Sequence, residues 1–186
     1  MQSTPVTLLE RLRRPGDGAA WSQFVYLYTP LFYAWACRAG LSENDAADLV
    51  QDVFATLLRE LPHFEYQPGK NFRAWLRTVL LNRWRTLRRR PAPRPAPPEQ
   101  LDTVPAPAEP HLPGEAEERR ELVRRALALI EGEFAPATWQ AFRQCAVLGR
   151  RPAEVAAELG LSVNAVYLAR TRVLRRLRQE LSDLLD

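Results

Sequence analysis

Residues 71–90, NFRAWLRTVLLNRWRTLRRR, hold seven arginines and two tryptophans with no acid among them. The whole chain carries only +4, so the remainder is net acidic. Like charges at helical spacing repel, and a merely solvated face mixes both signs. A polyanion resolves that repulsion, and the arginine fork matches phosphates and base edges. About five phosphate contacts would give a log–log salt slope of roughly −4 to −5. Trp84, set among the arginines, offers a ring for a base to stack on or for a neighbouring helix to cover. A second basic run, residues 163–178, has five arginines and again no acid. Asn164, Tyr167, Arg170, Thr171 and Arg172 are its candidates to face a major groove, while Arg175, Arg176 and Arg178 suit the phosphate backbone.

Carboxylates cluster elsewhere. Asp45, Asp48 and Asp52 recur at i, i+3 and i+7, a pattern that serves a hard cation or, as the favoured readings, a solvated face or a docking surface for a basic partner. His63 and His111 stand alone, and no phosphate loop, nucleophile elbow or HExxH occurs, so no metal, cofactor or catalytic group is expected. The chain reads as a binding protein, not an enzyme. Cys37 and Cys145 lie in apolar helical contexts without CxxC spacing, which fits buried, reduced thiols. No apolar run spans a membrane and the N-terminus lacks a signal core, so a cytoplasmic protein is expected. All basic residues but Lys70 are arginine, a skew that genome composition also produces.

The elements that must position these groups are helices. Nine of the sixteen prolines fall in residues 91–113, which therefore form neither helix nor central strand. At ~3.1 Å per residue this connector reaches at most about 70 Å. Before it, a 3.6-residue rhythm runs through Trp21, Phe24, Val25, Tyr28, Leu31, Phe32 and Trp35, with Pro30 as a kink. Ser42 caps a helix whose buried stripe is Ala46, Leu49, Val50, Val53, Phe54, Leu57, Leu58 and Leu61. After a loop at 62–71, Phe72, Trp75, Leu76, Val79, Leu80 and Leu87 line the basic helix. Beyond the connector, helices are expected over 116–132, 136–148, 152–159 and 163–184. Gly160 ends the third in the left-handed conformation and Ser162 caps the fourth, giving a helix-turn-helix. Val166, Val173, Leu174, Leu177 and Leu181 hold that last helix on its partners. The fold class is all-α: two small helical domains, 1–90 and 116–186, joined by a Pro-rich linker, 91–115.

LSENDAADLVQDVFATLLRELPHFEYQPGKNFRAWLRTVLLNRWRTLRRR resembles the second conserved region of bacterial extracytoplasmic-function (ECF) sigma factors, with its acidic helix, loop, F-AWL…N and basic tail. RRPAEVAAELGLSVNAVYLARTRVLRRLRQEL is similar to their fourth region. The order of the two around a linker is more specific than either part. The resemblance implies that Asp48, Gln51 and Asp52 dock on the clamp helices of RNA polymerase β′. It implies minus-ten recognition and melting by Lys70, Asn71, Arg73, Arg77, Asn82, Arg83, Trp84, Arg85 and Arg88. It implies minus-thirty-five recognition by Asn164, Tyr167, Arg170, Thr171, Arg172, Arg175 and Arg176, with the second domain also resting on the β flap. The chain departs from the family at Thr86, where an aspartate is usual, and at Leu168, Ala169 and Arg170.

The expected function is therefore a transcription initiation factor that brings core RNA polymerase to specific promoters and opens them. Control is expected from a separate protein such as an anti-sigma factor. The competing readings are a stand-alone regulator with a LuxR-like helix-turn-helix and a metal-dependent nucleic-acid enzyme built on the aspartate stripe.

Overall fold

The computed structural model describes residues 7–14, 16–64, 72–89, 114–182 and 184. These residues are helical between turns, with no strand. They divide into two compact units: Leu12–Glu118, and Arg119–Leu185 with the residues up to Arg11. The proline-rich stretch 91–113 and most of the loop before the basic helix, including Lys70 and Asn71, lie outside the described residues.

α1 is Leu8–Leu12, a helix the sequence reading does not contain. Its signal is the Thr7…Glu10 capping box: Glu10 N–H donates to Thr7 Oγ1 at 3.2 Å and Thr7 N–H to Glu10 Oε2 at 3.0 Å.

In the first unit, α2 (Gly18–Arg38) starts where the Asp17 carboxylate accepts the Ala20 N–H at 2.9 Å, and it continues through Pro30. Phe24, Leu27, Tyr28, Leu31, Phe32 and Trp35 are buried, while Val25 turns outward. α3 (Glu43–Glu60) begins at Ser42, whose hydroxyl accepts the Asp45 N–H and donates to the Asp45 carboxylate. Its buried stripe runs Ala46, Leu49, Val50, Val53 and Leu57, but Leu58 is 56% exposed. Thr56 takes the inward position instead, its hydroxyl neutralised by donating to the Asp52 carbonyl at 2.8 Å. α4 (Phe72–Arg89) carries the basic run. α2, α3 and α4 pack around an aromatic core, with Phe24–Tyr28 centroids 4.7 Å apart, Phe32–Phe54 5.3 Å and Phe64–Trp75 4.6 Å. Tilted contacts of this kind satisfy the ring quadrupoles and tie α2 to α3, and the segment after α3 to α4.

The second unit contains most of α5 (Glu115–Ile130), α6 (Pro136–Phe142) with a π-turn at Arg143–Val147, α7 (Pro152–Leu159) and α8 (Val163–Leu181). Gly160 adopts φ 64°, ψ 30°, which an L side chain resists. The Leu161 N–H returns to the Ala156 carbonyl at 2.9 Å, and Ser162 Oγ accepts the Ala165 N–H at 3.1 Å. Both helix ends are thus satisfied within a three-residue turn. Ala141, Val155, Ala156, Val166 and Ala169 form the core of this helix-turn-helix, with Cys145, Leu159 and Leu161 packed against it. Cys37 and Cys145 are half-buried free thiols, less enclosed than their sequence contexts suggest.

Candidate nucleic-acid interface

α8 presents two faces. Val166, Ala169, Val173, Leu177 and Leu181 point inward. Asn164, Leu168, Thr171, Arg175 and Arg178, at i, i+4, i+7, i+11 and i+14, form one exposed ridge. Tyr167 and Arg170 flank it on one side, lining a shallow depression with Thr171, Leu174 and Arg178. Arg172 flanks the other side. Of the residues expected to contact DNA here, Asn164, Tyr167, Arg170, Thr171, Arg172 and Arg175 are all exposed. Arg176 is turned away: its guanidinium donates to Glu133 at 2.7 and 2.8 Å and to Glu180 at 2.7 Å. That charge is held within the unit, by the buried Glu180 and the exposed Glu133. Leu168 lies on the central ridge, a place the sequence reading gave only to polar side chains.

α4 is sorted more severely. Asn82 and Arg88 are exposed, and Arg83 and Arg85 are half-buried. Asn82 and Arg83 line a depression with Thr56, Glu60, Val79 and Thr86, and Arg85 Nη1 donates to Asn82 Oδ1 at 3.1 Å. Arg73 is 4% exposed and Trp84 3%, so neither offers DNA a surface in this arrangement. Trp84 packs inside the bundle, with the Arg88 guanidinium 5.3 Å above its ring. Its core placement is one of the two roles its sequence setting allowed. Arg77 sits 5.5 Å over the Trp35 ring and is ion-paired to Glu118. Glu118, 2% exposed, also accepts the Trp35 Nε1–H at 3.0 Å. The exposed Glu117 pairs with Arg38 at 3.0 Å. Burial pushes the Tyr28 phenol well above its ordinary range; Arg73 draws it back and Glu118 raises it further. The Arg77 charge on α4 is therefore matched by Glu118 in the first turn of α5, a partner that local sequence does not reveal.

On α3 the outward ridge is Asp45, Asp48, Asp52, Ala55 and Arg59, all exposed, with Gln51 and Leu58 beside it. Among the described residues no three His, Cys, Asp or Glu side chains converge as metal ligands. No described helix is long and apolar enough to cross a membrane.

The sigma-70 region 2 family model matches residues 24–93, which spans α3, α4 and most of α2. The RNA polymerase sigma factor CnrH of Cupriavidus metallidurans is 33% identical over 178 residues, covering 92% of this chain and 89% of that one. The RNA polymerase sigma factor NccH of Alcaligenes xylosoxydans xylosoxydans is 36% identical over 81 residues, 44% of this chain and 42% of the relative. Among solved structures, that of CnrH in complex with the cytosolic domain of CnrY aligns with 91% of this chain and 92% of its own at 28% identity, with a TM-score of 0.39. A likeness at 33% identity over 92% of this chain and 89% of CnrH settles the family: the chain belongs to the ECF sigma factors of RNA polymerase, which bind the core enzyme and promoter DNA to initiate transcription.

Proposed function

We propose a division of labour along the chain. Residues 1–90 form a region-2-like domain whose α3 ridge, Asp48, Gln51 and Asp52, docks on the β′ clamp helices. Residues 116–186 form a region-4-like domain whose α8 reads the minus-thirty-five element and which rests on the β flap, and 91–115 link the two. The exposed and half-exposed members of α4, Asn82, Arg83, Arg85 and Arg88, meet the minus-ten DNA together with Lys70 and Asn71. Arg73, Arg77 and Trp84 support that surface from beneath. The chain performs no chemistry of its own, works in the cytoplasm, and is held in check by a separate protein. CnrH, solved with the cytosolic domain of CnrY, offers the pattern for such a partner.

The observation that carries this reading is the separation of charge by face. The outward ridge of α8 bears arginines and no acid, whereas the outward ridge of α3 opens with three aspartates. A positive helix ridge on a helix-turn-helix attracts duplex phosphates, and an acidic ridge suits a protein partner. The test is run-off transcription and co-purification with core polymerase. The double variant Asp48→Arg, Asp52→Arg changes only exposed side chains and should keep the helical content of the parent while losing core binding. Undiminished binding would remove α3 as the docking element. A protein that shifted promoter DNA tightly alone and ignored the polymerase would instead be a stand-alone regulator.

A further inference from the structure

Eight large apolar side chains are exposed among the described residues, and three of them, Val163, Tyr167 and Leu168, lie within the first two turns of α8. Scattered apolar residues are ordinary on a protein surface, but here they share the start of one outward face. Leu168 is 46% exposed and Tyr167 51%. Leu168 stands on the central ridge between Asn164 one turn before and Thr171 and Arg172 one turn after. The exposed Thr171 donates its hydroxyl proton to the Tyr167 carbonyl at 3.0 Å, so that donor is engaged by the backbone. The middle of this face is therefore apolar, with arginines at 170, 172, 175 and 178 around and beyond it.

Neither a protein interior nor water suits that arrangement. The inward face of α8 is already covered, and the arginine surround favours a polyanion over an apolar partner. In a major groove one base feature is apolar: the C5-methyl group of thymine. We propose that Leu168 reads a thymine methyl in the upstream promoter element, so that this chain selects one base by apolar contact where its neighbours on the ridge bind polar edges and phosphates. The proposal rests on the reading of α8 as the minus-thirty-five helix. It makes Leu168 a specificity-determining residue, in a position that the polar candidates around it leave unassigned.

The experiment uses holoenzyme assembled from core polymerase and the full chain. The probe is a promoter duplex selected by that holoenzyme from a randomised library. Each thymine of its upstream element is replaced in turn by deoxyuridine, which removes the methyl and keeps every hydrogen-bonding group. One position should weaken wild-type binding about fourfold, the worth of one buried methyl-sized group. Leu168→Ala, a change at a half-exposed side chain, should bind the thymine duplex comparably less well and show no further loss with deoxyuridine at that position. An upstream element without thymine, tolerance of deoxyuridine throughout, or an undiminished uridine effect in Leu168→Ala would each overturn the proposal. Arg175→Ala separates this from the underlying reading. If Arg175→Ala weakens binding while deoxyuridine is silent, only the methyl contact falls; if Arg175→Ala is also silent, α8 is not the reading helix and both fall.

Discussion

Arg175 and Arg176 are adjacent on α8, yet they send their charge to different places. Arg175 is exposed on the outward ridge, whereas Arg176 is bound by Glu133 and the buried Glu180. Sequence periodicity assigns both to the phosphate backbone, because Glu133 lies 43 residues away and no local pattern links them. The structure separates them in a measurable way. Arg175→Ala should reduce the magnitude of the log–log salt slope of promoter binding by about 0.9, equally for all sequences. Arg176→Ala should leave the slope alone and instead destabilise the fold by about 2 kcal/mol, because the buried Glu180 loses the hydrogen bond from the guanidinium. Salt titrations and urea unfolding of both variants check this, and exchanged phenotypes would return Arg176 to the DNA.

The turn between α7 and α8 shows why some elements are legible from sequence and others are not. Gly160 and Ser162 act within three residues of themselves, so LGLS alone foretells a left-handed stop and a capped start, and the fold contains both. A Cβ at Gly160 would meet no atom within 4 Å beyond its own chain neighbours, so Gly160→Ala should cost only its backbone strain, about 1 kcal/mol. Ser162→Ala should cost about 1 kcal/mol through the orphaned Ala165 N–H. Thermal unfolding of the two variants, with far-ultraviolet dichroism of the folded state unchanged, is the measurement. The Ser42 cap and most of the α3 stripe are legible for the same local reason. α1 is not legible from periodicity although Thr7…Glu10 marks its start, because five residues are too few to display a period. In α4, charge and the resemblance together assign Arg73, Arg77 and Trp84 to the DNA side. Arg73, at i−3 from Leu76, and Trp84, at i+4 from Leu80, instead share the inward side, and only the tertiary neighbours of that side decide what it buries.

Taken over the whole chain, the modest net charge hides two kinds of arginine: those on outward ridges, which suit a polyanion, and those whose carboxylate partner is built into the fold. Glu118 belongs to the second system. Composition ends the first domain at 90, where the prolines begin, yet the first compact unit takes in Glu117 and Glu118 from the start of α5. The two acids are neighbours with unequal weight. Glu118 is buried and shared between the Trp35 indole and Arg77, while the Glu117–Arg38 pair is solvent-exposed. Removing one side of a buried pair leaves charge and donors without that compensation, at about 3 kcal/mol, whereas an exposed pair contributes under about 1 kcal/mol. In the full-length chain, Glu118→Ala should therefore shift the urea transition followed by tryptophan fluorescence strongly downward. Glu117→Ala should barely move it. Glu118→Gln, which keeps an acceptor for the Trp35 N–H but no charge for Arg77, should fall between them. If Glu117→Ala and Glu118→Ala cost the same, the carboxylate of Glu118 is hydrated in solution, and the charges of α4 are not balanced by α5 but left to whatever polyanion the helix meets.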